Sequence, residues 1–226
     1  ANITSAALAT TSVAAPNSGF IGGGQIGYNL QFYNNFVAGI EADIQGIAGS
    51  GGNTTVTNQG ANAGFPANPI DQTLTVSRNQ GYLGTVRGRL GFTITPTLLV
   101  YGTGGLAYGQ TNSSTSITQF VQGAAPLPSS YSSFGSLSNT RVGWTAGGGA
   151  EWMFLPNWSF KVEYLYYDLG GVTYGLSPLQ NFANVGGGTL FTNGAPVSTA
   201  SFRGNIVRAG LNYHFNLFPA PIVAKY

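Results

Sequence analysis

The sequence predicts an all-β fold: a transmembrane, up-and-down antiparallel β-barrel of eight strands, seven of them clear in the chain. Three observations carry this. Charged residues make up only 6% of 226, against ~25% in soluble domains, too little to cover a water-facing surface. Seven segments alternate apolar and polar residues with period 2, which sends successive side chains to opposite faces of a strand. No run approaches the ~18 apolar residues that a spanning helix needs. In lipid, only helices and closed sheets satisfy every backbone N–H and C=O, so such a chain crosses as a barrel.

The segments follow in order. In Phe20–Phe32, Phe20, Ile26, Tyr28, Leu30 and Phe32 share one face, against Gln25, Asn29 and Gln31. In Asn35–Ile47, Phe36, Ala38, Ile40, Ala42 and Ile44 oppose Glu41, Asp43 and Gln45. In Gly81–Thr95, Tyr82, Val86, Leu90, Phe92 and Ile94 oppose Thr85, Arg87, Arg89 and Thr93. Leu98–Gln110 is glycine-rich and less regular, with Leu98, Val100, Leu106 and Tyr108 against Tyr101 and Thr103. In Val142–Phe154, Trp144, Trp152 and Phe154 oppose Thr145 and Glu151. In Trp158–Leu169, Trp158, Phe160, Val162, Tyr164 and Tyr166 oppose Ser159, Lys161 and Glu163. In Ile206–Phe215, Val207, Leu211, Tyr213 and Phe215 oppose Arg208, Asn212 and His214. Each is long enough to span at the ~9–11 residues a tilted strand requires. Aromatics gather at the strand ends, as in the interfacial girdles of membrane barrels. Phe20, Tyr28, Phe32, Phe36, Tyr82, Phe92, Trp144, Trp152, Trp158, Tyr166, Tyr213 and Phe215 are the expected anchors.

Connections alternate in length. Tyr33-Asn34-Asn35, Pro96-Thr97 and Leu155-Pro156-Asn157 are tight turns, whereas 48–80, 111–141 and 170–205 read as long polar loops. Short turns on the periplasmic side and long loops outside are the habit of such barrels. The chain is thus expected to be a single barrel domain over 1–226, in the outer membrane of a Gram-negative bacterium. Residues 1–19 form an outer loop or a weak first strand, and 216–226 a periplasmic tail. Barrel parity demands an even number of strands, so one more is expected before residue 19. Ile3–Val13 is a poor candidate, being rich in Ala, Ser and Thr; a strand ahead of Ala1 is the preferred expectation. No signal peptide is visible at Ala1.

Several chemistries find no support. The sequence has no cysteine and one histidine, which leaves no set of metal ligands. A net charge of +2 without a basic run gives nucleic acid no electrostatic purchase. An acyl-transfer site needs a nucleophile with an activating base, and His214 lies at the short-turn end. The glycine runs Gly22-Gly23-Gly24, Gly104-Gly105 and Gly147-Gly148-Gly149 sit inside strands without a following helix. They read as places where a narrow barrel needs small side chains. No cofactor is expected. The face opposite the aromatics carries Glu41, Asp43, Glu151 and Glu163 with Arg87, Arg89, Lys161 and Arg208. Buried charges persist when paired and hydrogen-bonded, so these eight are expected to fill the lumen as a connected network.

The stretches GFIGGGQIGYNLQF, NNFVAGIEADIQG, YLGTVRGRLGF, LLVYGTGGLAYG, GWTAGGGAEWMFLPNWSFKVEYLYYDLG and VRAGLNYHF together resemble the small outer-membrane β-barrel family of alphaproteobacteria. That family is akin to the opacity-type surface proteins and the OmpA membrane domain. The resemblance implies an eight-stranded barrel and a structural or surface-interaction role. It also implies a first strand opening on a Trp/Tyr-Gly-Phe-Tyr-type motif, ahead of a loop into Asn17-Ser18-Gly19-Phe20. Such barrels usually end on an aromatic residue; Phe215 fits, although 11 residues follow it.

The leading functional expectation is a structural surface protein with a salt-bridged, largely closed lumen. A small low-conductance porin and a loop-mediated ligand or host-surface binder are the alternatives. Partners are outer-membrane lipid and lipopolysaccharide. Arg78, Arg141 and Arg203 fall near the outer start of downward strands, and arginine suits bidentate phosphate contact, so they are expected to touch lipopolysaccharide.

Overall fold

The structure is a computed structural model, and it describes residues 11–14, 18–32, 35–61, 69–122, 130–183, 189–192 and 194–215. The strands are β1 (Ser18–Phe32), β2 (Phe36–Ser50), β3 (Gly52–Gly60), β4 (Ile70–Thr95), β5 (Leu98–Val121), β6 (Ser130–Leu155), β7 (Trp158–Gly175), β8 (Gln180–Ala183), β9 (Thr189–Thr192) and β10 (Val197–Tyr213). The fold is all-β and antiparallel, as expected. Seven long strands follow one path, β1-β2-β4-β5-β6-β7-β10. β3 continues β2 past Gly51 and pairs with the first half of β4, from Gly52↔Arg78 to Gly60↔Ile70. The tight turns at Pro96-Thr97 and Leu155-Pro156-Asn157 mark one end, here the lower end, and Tyr33-Asn34 of the third lie outside the described residues; at this end the backbone of Asn157 accepts from His214 N at 2.8 Å.

The three long polar stretches are largely strand rather than loop. β4, β5 and β6 run 26, 24 and 26 residues, more than twice the ~9–11 of a membrane crossing. Their upper halves pair without a break from Gln80↔Thr111 to Ile70↔Val121, and from Gln110↔Thr140 to Phe120↔Ser130. Sequence alternation misses them because Ser and Thr occupy both faces, so hydropathy barely oscillates. The β-branched residues of Thr73-Leu74-Thr75-Val76 were the available signal.

A bulge divides the wall. The β4–β5 register slips between Gln80 and Leu83, and an extra residue turns every later side chain to the other face. Below it, Thr85, Arg87 and Arg89 are buried while Val86, Leu90 and Phe92 are exposed. Above it, Ile70, Leu74 and Val76 are buried, and Thr73 and Asn79 face out. The lower half is therefore polar inside and apolar outside, and the upper half contains the apolar core. That core joins Leu74, Val76 and Ile117 to Leu169, Val172, Leu176 and Phe202.

β1 and β10 end the path. Among the described residues no backbone pairing joins them; Gln25 Nε2 reaches Asn212 Oδ1 at 2.5 Å across the gap. Of the weak candidate Ile3–Val13, the described part from Thr11 is not strand, and the rest lies outside the described residues, as does 216–226. Val13 packs on the upper core, and the carbonyl of Ala14 accepts from Thr54 Oγ1 at 3.1 Å.

Candidate functional site: the charged lumen

The period-2 strand geometry gathers charges from five strands onto one interior level. Glu41 and Asp43 come from β2, Arg87 and Arg89 from β4, Glu151 from β6, Lys161 and Glu163 from β7, and Arg208 from β10. Register sets the first contacts: Glu41 lies opposite Arg87, Glu151 opposite Lys161, and Arg208 opposite Glu163. All eight point inward and belong to one network.

Arg87, 1% exposed, is its hub. Its Nη2 lies 2.5 Å from Glu41 Oε1 and 2.8 Å from Asp43 Oδ2, and its Nη1 lies 3.0 Å from Glu163 Oε1. Its Nε donates to Thr85 Oγ1 at 2.8 Å. Arg208 Nη2 bridges Glu163 Oε2 at 2.5 Å and Asp43 Oδ2 at 2.9 Å. Lys161 Nζ is 2.8 Å from Glu41 Oε1, and Arg89 Nη2 is 2.6 Å from Glu151 Oε2. The four acids and four bases balance. Isolated burial of any one would cost several kcal/mol; mutual attraction and shared hydrogen bonds offset that here.

Several members carry no charge and were not singled out from sequence. Tyr101 donates to Glu163 Oε1 at 3.0 Å, and its ring lies 3.9 Å from the Arg89 guanidinium carbon, within cation–π range. Gly149 makes room for it, since a Cβ there would meet Val162 O at 2.4 Å and Tyr101 Oη at 2.8 Å. This is the close approach expected of the Gly147-Gly148-Gly149 run. Thr85 donates to Asp43 and Asn212 to Glu151. Their signal was the same interior parity as the charges.

At the lower mouth the structure assembles Ser159, His214 and Glu151. Ser159 Oγ is 2.8 Å from His214 Nε2 and donates to Glu151 Oε1 at 2.6 Å. This is not the relay of a nucleophilic triad, in which the acid orients the far nitrogen of the imidazole. Here the acid holds the serine itself, and that serine is 1% exposed. Among the described residues, no group of three or more His, Asp or Glu is placed to hold a metal ion.

Between β1 and β10 lies a cavity of about 520 Å³, lined by glycines of β1 and by Arg208–Phe215, with Glu41, Arg89 and Lys161 also in its lining. On the outer wall, exposed rings form a lower girdle: Phe36 packs on Phe92 at 5.3 Å and Trp158 on Tyr213 at 5.2 Å. Phe20, Tyr28, Phe32, Trp144, Trp152 and Phe215 are also exposed, while Tyr82 and Tyr166 are half-buried. Tyr166 leans on Trp144 at 5.3 Å.

The three arginines expected at the upper rim do not form one outward set. Continuous alternation from Val86 would turn Arg78 outward, but the bulge reverses it. Arg78 shares the inward parity of Val76 and Gln80, and its Nε is buried without a partner. Arg141 has the interior parity of Thr145 and donates to Gly171 O at 2.9 Å. Only Arg203 is exposed on the outer face, directly across the register from Asp168.

A family model of the outer membrane protein beta-barrel domain matches residues 1–215. The 31 kDa outer-membrane immunogenic proteins of Brucella melitensis biotype 1 and Brucella suis biovar 1 are each 38% identical to the chain over 200 residues, covering 87% of this chain and 67% of theirs. The 22 kDa outer membrane protein of Rhizobium leguminosarum bv. viciae is 31% identical over 156 residues, 68% of this chain and 56% of its own length. No solved structure matches. The antiparallel strands, their apolar outer band and these relatives agree: the chain belongs to the outer membrane protein beta-barrel domain family.

Proposed function

We infer that the protein is a structural, non-catalytic surface barrel of the outer membrane whose lumen does not conduct. Its short turns lie in the periplasm, and its long upper strands stand outside the cell. The observation that carries this is the stacking of two seals. The buried Arg87 network at the lower level and the apolar core around Leu74, Ile117, Leu169 and Phe202 at the upper level support a lumen blocked twice. A barrel of ~8 strands has an interior just wide enough for side chains to fill. The test is conductance of the purified barrel in planar bilayers, wild type against Arg87→Gln/Arg89→Gln. Wild type stays silent, and the variant, with its lower seal broken, shows flickering openings at most. Sustained wild-type conductance would establish the second reading, a low-conductance porin. That reading is favoured by the cavity between β1 and β10, which reaches Lys161 and Glu41.

A further inference from the structure

Above the bulge, the outer wall of β3–β6 stands clear of the exposed apolar band and is almost free of charge. Eleven-residue upper stretches such as Ile70–Gln80 rise about 25 Å beyond the apolar band, from strand rise and tilt. A wall of that height standing in free water is expected to carry about a quarter charged residues. Among the described residues, the outward positions of this wall hold one formal charge, Asp71. That carboxylate is engaged by Gln59 Nε2 at 2.8 Å and by Gln122 Nε2. The remaining outward positions are hydroxyls and amides, with two exposed rings among them: Phe120, 51% exposed, and Phe134, 57% exposed.

The polar groups are ordered across the strands. Thr55 Oγ1 and Thr75 Oγ1 are 3.1 Å apart, and Ser138 Oγ donates to Asn112 Oδ1 at 2.6 Å. Hydroxyl and amide groups each offer donors and acceptors, the complement of a sugar hydroxyl. An exposed aromatic face takes the apolar C–H side of a sugar ring. The wall is continuous with the lipid-facing band: Tyr82, at the band's upper edge, shares a hydrogen bond with Thr140 at 3.3 Å. What stands directly above acyl chains in an outer leaflet is the saccharide of lipopolysaccharide.

We propose that the outward face of β3–β6 above the bulge is a saccharide-contact surface, seated against the uncharged core sugars of lipopolysaccharide in its own membrane. The proposal rests on the orientation given above. It differs from a phosphate-binding arginine rim, because Arg78 and Arg141 turn inward and Arg203 lies across from Asp168.

The probes are lipopolysaccharide with a complete core and lipopolysaccharide truncated to lipid A and its first acidic sugars. Each is reconstituted in nanodiscs with the full chain, and retention after detergent extraction is counted by native mass spectrometry. Wild type retains more complete-core than truncated lipopolysaccharide. Phe120→Ala/Phe134→Ala and Thr118→Glu/Ser136→Glu lose that preference and keep the truncated form at the wild-type level. Equal retention of both forms by wild type, or an unchanged preference in both variants, overturns the proposal. Orientation is read separately. The chain has no cysteine, so Ala195→Cys, exposed at the upper end ahead of β10 and off the β3–β6 face, is its single thiol, and a membrane-impermeant maleimide labels it on intact cells if the upper wall is outside. Failure of that labelling overturns the orientation and the proposal together; labelling without a sugar preference overturns the proposal alone.

Discussion

The lower and upper halves of this barrel are built from the same strands but obey opposite rules. In the lower half, Val86, Leu90 and Phe92 of β4 face lipid while Arg87 and Arg89 are buried. Eleven residues up the same strand, Leu74 and Val76 are buried while Thr73 and Thr75 face out. Solvent explains the inversion. Where the surroundings are hydrocarbon, apolar side chains cost nothing outside, and polar ones survive only within a paired interior. Where the surroundings are hydrated, burial of apolar area is again the driving force. One extra residue at the Gly81–Tyr82 bulge reverses the strand at the boundary between the two regimes. The comparison teaches that β4 is not a single pattern but two, joined at the bulge, whereas β5 keeps one inward parity from Tyr101 to Gln119.

The largest test removes the lower half's hub. Arg87→Met leaves Glu41, Asp43 and Glu163 short of a cation, and breaking a buried pair costs about 3–5 kcal/mol. Urea unfolding of the barrel refolded in lipid vesicles measures this. Arg78→Met, at the half-buried arginine whose Nε is buried without a partner, is expected to be neutral or stabilising. Equal losses in the two variants would erase the distinction between the halves.

The next effect compares outer walls. Leu90→Arg puts a charge on the lipid face near mid-membrane, at a cost of about 2–4 kcal/mol. Ser116→Arg, on the outer face of the upper half, changes stability by about 0.5 kcal/mol or less. The same unfolding assay reads both, and a large loss at Ser116 would place lipid higher than the bulge.

Packing comes third. Gly149→Ala drives a methyl into Val162 O and the Tyr101 ring, and overpacking costs about 1–3 kcal/mol. The loss from Gly149→Ala is expected to be smaller when measured in a Tyr101→Ala background, because that background vacates one of the two clashing groups. An equal loss in both backgrounds would mean that the β7 backbone alone sets the limit.

The smallest effect is electrostatic and belongs to the upper half. Hydrogen bonds from Gln122 and, secondarily, Gln59 hold the Asp71 carboxyl below its ordinary range. A folded value below the unfolded one means that the contribution is present at neutral pH and fades as pH falls through the folded value. Asp71→Asn therefore slightly flattens the acid limb of the stability–pH curve. Because Asp71 is solvent-exposed, a steep change in that limb would point to another group.

How much was legible follows from where alternation has amplitude. The lower strands contrast aromatic or aliphatic residues with Glu, Asp, Arg and Lys at every second position, as in Val86-Arg87-Gly88-Arg89-Leu90, so strand, facing and interior charges could be read together. The upper halves contrast Thr with Gln or Ser with Thr, as in Ser113-Ser114-Thr115-Ser116. There the two faces have nearly equal hydropathy, and a strand looks like a loop. Arg78 was misplaced for a related reason: facing propagates by parity, and the bulge that resets it has no composition of its own.

By itself the sequence determined the crossing mode and the face on which the lower residues of β2, β4, β6 and β7 sit, because strand geometry imposes a two-residue period and lipid outside fixes which face is apolar. The tertiary structure alone decided which charges meet. Glu41 and Arg208 are 167 positions apart, and only the strand order and register bring them within 3.3 Å. It also decided that the polar stretches rise as a wall, since their backbone hydrogen bonds are made with neighbouring strands and leave no mark within any one segment.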